Sequence, residues 1–151
     1  MKRYAVLFVL LLGISSTAFG YCSINVTLDE ITCGKPIIGS TVIRCSGTCE
    51  YAGVTKTYVD NTLYADVFLR CSCTRGCSEV RTHGTVFGEA ACGRYVVVVR
   101  VWCDYGDSGC FPYCLYPQPV YCGVALKTFN VSCDDCGCGP CGCLPTSPCC
   151  P

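Results

Sequence analysis

The chain has 151 residues, 19 of them cysteine, and its basic and acidic residues balance at 11 each. This balance excludes the strongly basic composition typical of proteins that bind nucleic acids or anionic membranes. Every cysteine lies after residue 21, at roughly one residue in seven of that part of the chain. Such a density is typical of a disulfide framework formed in an oxidising compartment. The length of that part fits one domain.

The first residues predict secretion. A short basic start precedes an apolar run over residues 5–14, and small residues follow at Ala18 and Gly20. This order predicts a signal peptide over residues 1–20, cleaved after Gly20. As a helix the apolar run would span only about 15 Å, short of a bilayer core of about 30 Å. We therefore expect a secreted, extracellular chain from Tyr21 onward that does not enter a membrane.

Hydrophobic patterning predicts an all-β fold. Apolar and polar residues alternate with period two over Cys22–Asp29 and again over Thr62–Cys71. Tyr95–Trp102 is rich in valine, a β-branched residue that favours strands, and Val120–Ser132 is a further extended stretch. Gly, Pro, Asn and Asp clusters between these segments predict turns. No segment after the signal peptide has a helical pattern, so short strands and long loops are expected.

The cysteines allow a metal-binding alternative. Cys133-x-x-Cys136 and Cys138-x-x-Cys141 have the spacing of zinc ligands. Because secretion favours disulfides over free thiolates, we expect no metal and no cofactor. The cysteine count is odd, so at least one lacks a partner within the chain. This predicts a free thiol or a covalent bond to a second chain.

The segment Cys45-Ser46-Gly47-Thr48-Cys49 is the most informative local motif. If its two cysteines bonded to those of a Cys-x-Cys segment on a neighbouring strand, a covalent ring would form. A third disulfide could then pass through that ring. A side chain at Gly47 would collide with the threading sulfurs, so the geometry requires glycine there.

With its neighbours, this motif resembles a known family. The chain from Cys22 to Cys92 is similar to the C-terminal cystine-knot domain of von Willebrand factor and mucins, which is related to bursicon, norrin and the glycoprotein-hormone β subunits. The matching cysteines, in order, are Cys22, Cys33, Cys45, Cys49, Cys71, Cys73, Cys77 and Cys92. The resemblance covers about seventy residues. It implies elongated, paired β-hairpins held by disulfides.

The resemblance also implies a disulfide pattern. Its members would be a threading bond between Cys22 and Cys77, a bond between Cys33 and Cys92 at the hairpin tips, and interchain bonds at Cys71 and Cys73. The ring would close by bonds from Cys45 to Cys136 and from Cys49 to Cys138. A ring closed through Cys103 stays open as an alternative, because Cys103 lies at a better distance from Cys92. Against it, Tyr105 stands where the second ring cysteine is expected.

The resemblance implies a cystine-knot domain over residues 21–143, with an insertion around residues 103–122. A Cys- and Pro-rich tail would follow over residues 144–151.

Further residues are candidates for modification or binding. Asn25-Val26-Thr27 and Asn130-Val131-Ser132 are glycosylation sequons, and the strand pattern places Asn25 on a polar face. A Pro- and aromatic-rich segment carries the candidate partner-binding side chains Phe111, Tyr113, Tyr116 and Tyr121. It could equally be a loop that packs on itself. Weaker candidates are Tyr51, Tyr58 and Tyr64.

The sequence does not predict an enzyme. His83 is the only histidine, and no nearby Ser or Cys motif supports a nucleophilic site. Our leading hypothesis is a secreted, hormone-like or growth-factor-like ligand that forms a disulfide-linked homo- or heterodimer and binds a receptor ectodomain. The alternatives are a structural protein that multimerises through interchain disulfides, and a disulfide-rich toxin or protease inhibitor.

Overall fold

The computed structural model describes residues 22–106 and 118–133, and no helix occurs within them. The strands are β1 (Cys22–Leu28), β2 (Ile37–Val59), β3 (Thr62–Phe87), β4 (Gly93–Asp104) and β5 (Val120–Val131). They hydrogen-bond in the order β1-β2-β3-β4-β5, with β3 and β4 parallel and the other pairs antiparallel. The predicted all-β, disulfide-rich class is confirmed.

The long β2–β3 hairpin folds back on itself. Ile38 pairs with Thr85 near the open end of the hairpin, and Lys56 lies 18 residues further along β2. A straight strand would separate these positions by roughly 60 Å. Yet the Lys56 Nζ donates to the carbonyl of Thr85 at 2.7 Å, and the Tyr58 hydroxyl donates to the carbonyl of Val86 at 2.8 Å. The two halves of the hairpin therefore lie against each other.

This fold-back makes two layers from one continuous sheet. The first layer contains β1 with residues 37–46 of β2 and 77–87 of β3. The second layer contains residues 48–59 of β2 and 62–72 of β3, followed by β4 and β5. The layers also meet where β5 approaches β1, since a Cβ on Gly123 would lie 2.9 Å from the carbonyl oxygen of Cys22.

Gly47 lies at the bend. The pairing of β2 with β3 is interrupted there, so that Ser46 pairs with Cys77 but Thr48 pairs with Ser72. Gly47 has φ +89°, and a Cβ at this position would lie 2.7 Å from the carbonyl oxygen of Ser72. Both the dihedral angle and the close approach exclude side chains. Glycine is thus required at position 47 because the backbone bends there, and not because a disulfide passes through a ring.

A packed core fills the space between the layers. Ile37 and Ile43 from the first layer and Leu69, Val99 and Val101 from the second are almost completely buried. The core continues into aromatic side chains at one end. There Phe87 meets Tyr95 with ring centroids 4.9 Å apart, and Phe129 stacks on Tyr95 at 5.4 Å. Apolar burial of this kind is the main favourable term in folding.

Several sequence expectations need correction at this level. The predicted strands correspond to β1, the first half of β3, β4 and β5. The long loop expected after Cys49 is instead the second half of β2, so the strands are long where short ones were expected. The paired hairpins are present as β2–β3 and β4–β5, but the first folds back instead of extending. Its fold-back creates the packed interior that alternation alone did not reveal.

The bend can be tested by adding a methyl group to Gly47. We expect Gly47→Ala to lower the free energy of unfolding by about 2 kcal/mol, because alanine must adopt a left-handed backbone and approach the carbonyl of Ser72. Gly53→Ala is the matched control, since Gly53 is also in β2 and a Cβ there meets nothing within 4 Å. Urea unfolding of the oxidised proteins measures both effects. Equal stability of the two variants would contradict this account of the bend.

Candidate partner-binding face

Two disulfides join residues that face each other directly across antiparallel strands. Cys22 on β1 is bonded to Cys45, and Cys49 is bonded to Cys71, with Cα–Cα distances of 4.1 Å in both. These bonds correct the predicted ring, because Cys45 and Cys49 are already bonded and neither pairs with Cys136, Cys138 or Cys103. Cys136 and Cys138 themselves lie outside the described residues.

The predicted threading bond between Cys22 and Cys77 is wrong. Cys45 lies directly opposite Ser78, so Cys77 is one residue away from the position opposite Cys45. In a strand this offset turns a side chain to the opposite face. Cys22 and Cys45 are buried between the layers, whereas Cys77 is exposed and is the free cysteine among the described residues.

The other predicted bonds also differ from those observed. Cys33 is bonded to Cys133 and not to Cys92, although Cys92 is itself in a disulfide. Cys133 follows the end of β5, whose Val131 pairs with Gly93, so β5 brings it to the same end of the molecule as the loop after β1. The pair predicted for interchain bonds is engaged as well, because Cys71 is bonded to Cys49 and Cys73 is disulfide-bonded.

Sulfur atoms from both layers meet in the core. Cys103 is bonded to Cys122 between β4 and β5, and its Sγ lies 3.8 Å from the Sγ of Cys22. The Sγ atoms of Cys22, Cys45 and Cys103 lie within 4.8 Å of one another, a spacing that could suit a metal ion. All three sulfurs are in disulfides, however, and lack the thiolate charge that a metal ligand needs. The cluster therefore does not fit a metal in the oxidised protein.

The middle of the outward side of the second layer is largely apolar and aromatic, whereas its margins carry polar residues such as Thr57, Thr62 and Thr128. In-register neighbours on β3, β4 and β5 form three rows: Phe68, Trp102 and Tyr121; Asp66, Arg100 and Val124; and Tyr64, Val98 and Leu126. We call these nine residues the apolar face. Two of its side chains are largely in solvent, Val124 at 55% and Leu126 at 67% exposure. Trp102 and Tyr121 meet edge to face with ring centroids 5.4 Å apart.

The charges in the middle row neutralise each other. Arg100 donates to one carboxylate oxygen of Asp66 at 2.6 Å, and the indole N–H of Trp102 donates to the other at 2.7 Å. The guanidinium lies 5.7 Å from the ring centroid of Tyr64, within the range of a cation–π contact. Burial alone would raise the pKa of Asp66, but the hydrogen bonds from Trp102 and Arg100 and the positive charge of Arg100 outweigh it and lower that pKa.

The outward side of the first layer is mainly polar, although Val42 and the 38% exposed Ile38 also lie on it. Its rows are Ser23, Arg44 and Glu79; Asn25, Val42 and Arg81; and Thr27, Ser40 and His83. We call this the polar face. Arg44 and Arg81 each donate to Glu79 at 2.6 Å, and these hydrogen bonds lower the pKa of the exposed carboxylate. The molecule therefore presents two outer faces of opposite character.

The predicted modification and binding residues distribute over both faces and beyond. Asn25 is exposed on the polar face, as its strand pattern predicted, and Asn130 is exposed near the end of β5. Tyr121 belongs to the apolar face, whereas the other candidates of its segment, Phe111, Tyr113 and Tyr116, lie outside the described residues. Among the weaker candidates, Tyr64 is on the apolar face. Tyr51 and Tyr58 are half-exposed on the opposite side of the second layer.

The sequence contained a signal for the apolar face that its alternation obscured. In Thr62–Cys71 the positions assigned to the polar side include Tyr64 and Phe68, and β4 carries an unbroken apolar run over residues 95–99. A strand that is apolar on both sides is covered on both sides or exposes one of them. His83, the single histidine, is exposed on the polar face with its Nε2 3.8 Å from a carboxylate oxygen of Asp29.

No family model, curated protein or solved structure matches this chain to a significant degree. The cystine-knot resemblance therefore stays a prediction from the sequence. Within residues 22–106 and 118–133 there is no helix with the length and hydropathy to cross a membrane.

The ion pair at the centre of the apolar face makes a pH-dependent contribution to stability. Because the pKa of Asp66 is lowered from its ordinary value of 3.8, the contribution is present above that value and is lost as the pH falls through the pKa of the folded state. We expect Arg100→Gln to raise the pKa of Asp66 and to cost about 1 kcal/mol at pH 7, a figure reduced because Arg100 is partly exposed.

NMR titration of the Asp66 carboxyl and urea unfolding at several pH values measure these effects. The stability difference between the native protein and Arg100→Gln should shrink in acid. Arg94→Gln, an exposed arginine also in β4, serves as control and should leave the pKa of Asp66 unchanged. A native Asp66 that titrates above 3.8 would contradict the assignment.

Proposed function

We propose that this chain is a secreted, extracellular protein ligand of the hormone or growth-factor kind, which acts by binding a receptor ectodomain through its apolar face. The observation that carries the proposal is the contrast between the two outer faces. One side of the sandwich is polar and includes the sequon at Asn25, and the other exposes aromatic and aliphatic side chains in three rows. A contiguous apolar patch on a protein surface marks an interaction site.

The composition of the apolar face supports a protein partner. Trp, Tyr and Arg are the residues most enriched in interface hot spots, and Trp102, Tyr64, Tyr121 and Arg100 occur there together. The charge of Arg100 is already paired with Asp66. Covering this face therefore buries apolar surface without leaving that charge unpaired, which would be costly. Leu126 and Val124 are the most exposed apolar side chains of this face, so a partner would bury the largest fraction of their surface.

Secretion is supported by the N-terminal segment and by the disulfides. Four disulfides join described residues to one another, which requires an oxidising compartment in most organisms. The ligand class rests on the apolar face and this compartment. It does not rest on a knot, because the bonds of the described cysteines differ from those the family resemblance implies.

A covalent dimer is part of the proposal, and we assign its bond to Cys77. This cysteine is free and exposed, and it lies at the bend, where Ser46 is its neighbour in register. Its position on the outer side of the first layer leaves the apolar face accessible in each copy.

The dimer has a direct test. We expect the native protein to migrate as a dimer without reductant and Cys77→Ser to migrate as a monomer, since the bond needs the Cys77 sulfur. Trypsin releases Cys77 in the peptide Gly76–Arg81, which contains no other cysteine, so the peptide linked to it identifies a homodimer or a heterodimer. Ser46→Ala is the control and should remain dimeric. A monomeric native protein would refute the dimer, and a ladder of multimers would favour the assembly alternative.

Receptor binding can be tested by competition on cells. Labelled native protein is applied to a panel of cultured cells, and unlabelled variants compete for the surface sites. We expect Val124→Glu/Leu126→Glu to compete at least tenfold more weakly than the native protein, because burying two carboxylates at an interface carries a large desolvation cost. Ser23→Glu/Val42→Glu places the same charges on the polar face as a matched control and should compete normally.

Two results would count against this proposal. Equal competition by the two double variants would exclude the apolar face as the binding site. The absence of saturable binding on every cell line would remove the ligand class. Unchanged urea midpoints for both variants would show that the comparison reports binding and not folding.

A further inference from the structure

A cavity of about 160 Å³ lies between the layers, beside the free edge of β2. Its walls include the inward side chains Leu63, Ala65 and Val67 of β3 and Val97 and Val99 of β4. These residues are buried and belong to the core. The cavity is therefore an unfilled part of the apolar interior, and it is separate from the outward-facing apolar face.

The fold-back explains why this space is not filled. The second layer has four strands and the first has three. The inward side chains of the second half of β2 are only partly covered, since Tyr51, Val54 and Tyr58 are 48%, 41% and 50% exposed. The irregularity between Tyr51 and Gly53 displaces the side chains that follow. Tyr51 and Val54 line the cavity and are 48% and 41% exposed, so the cavity opens to solvent beside them.

Two basic residues line the cavity, Lys56 and His83, and the Nε2 of His83 lies 3.8 Å from a carboxylate oxygen of Asp29. Lys56 therefore provides the unpaired charge at the rim. Lys56 lines the cavity, and its Nζ donates one hydrogen bond to the carbonyl of Thr85. An ammonium has three donors, so two remain. No carboxylate of the described residues forms an ion pair with Lys56. An apolar cavity with an unpaired cation at its rim is complementary to an apolar molecule that carries one negative charge.

The volume limits the size of that molecule. Drug-sized ligands occupy pockets of about 300–1,000 Å³, which excludes them here. An apolar cavity of about 150 Å³ binds benzene, so a space of this size accepts one aromatic ring. We propose that the interlayer cavity binds a small monocarboxylate with a single aromatic ring, with the ring between the layers and the carboxylate paired with Lys56. This site is independent of the proposed receptor-binding function.

Benzoate and its neutral counterpart benzamide test both parts of the proposal. In two-dimensional NMR titrations of the oxidised native protein, we expect benzoate to shift the backbone amides of Ala65, Val97 and Val99 saturably, with Kd of about 1 mM. Benzamide should bind the same amides about fivefold more weakly, since a partly exposed ion pair contributes up to about that factor.

Three variants separate the contributions of ring and charge. Lys56→Met keeps the apolar stem and should weaken benzoate binding about fivefold while leaving benzamide unchanged. Ala65→Val fills part of the cavity and should weaken both ligands at least tenfold. Lys35→Met, in the loop after β1 and not among the cavity residues, is the control and should bind both ligands as the native protein does.

Several outcomes would overturn this assignment. Equal affinities for benzoate and benzamide would remove the carboxylate from the ligand class. Shifts confined to surface lysines, or no saturable shift at about ten times the expected Kd, would show that the cavity is not a binding site. Since receptor competition uses residues on the opposite side of the second layer, either proposal can fail without the other.

Discussion

A hairpin with strands as long as β2 and β3 exposes two faces to water unless another element covers one of them, and in this protein the hairpin covers itself. The bend at Gly47 permits this, because its positive φ and the approach of Ser72 leave no room for a side chain. Once the halves meet, the inward positions of both layers become a core. Burial of this apolar surface offsets much of the conformational entropy lost on folding. The order of layers, the two outer faces and the interlayer cavity all follow from this single bend.

The disulfides reinforce the bend and do not replace the core. Cys45 and Cys49 lie on either side of Gly47, and each is bonded to the residue directly opposite on a neighbouring strand. Each bond closes a loop of little more than twenty residues, which contributes about 3 kcal/mol in the entropic account. The Cys-x-Gly-x-Cys motif therefore acts as a clamp that holds β2 to one neighbour before the bend and to another after it. Its glycine and its cysteines serve the same local geometry.

The fold-back also determines where function can reside. Strand alternation gives every layer an inward and an outward side, and the two outward sides differ because their sequences differ. The first layer places charged and hydroxyl side chains outward around Asn25, while the second places Trp102 and its aromatic neighbours outward around one internally neutralised ion pair. Lys56 lies apart from both, at the edge where the larger layer is uncovered. A partner protein and a small ligand would thus use separate surfaces.

Local pattern determined the strands, whereas long-range packing determined the disulfides and the binding surface. The alternation over Cys22–Asp29 predicted β1 and the exposure of Asn25, because the direction of a strand's side chains depends only on neighbouring residues. The partner of Cys22 depends on which strand lies beside it and in which register, and a one-residue offset is enough to turn Cys77 away from the core. Likewise, Tyr121 was a candidate by composition, but its place beside Trp102 exists only because β4 and β5 pair. The sequence by itself therefore determined an all-β, disulfide-rich chain. The tertiary structure decided the rest, including why position 47 must be glycine, because strand register and layer contacts are set by residues far apart in the chain.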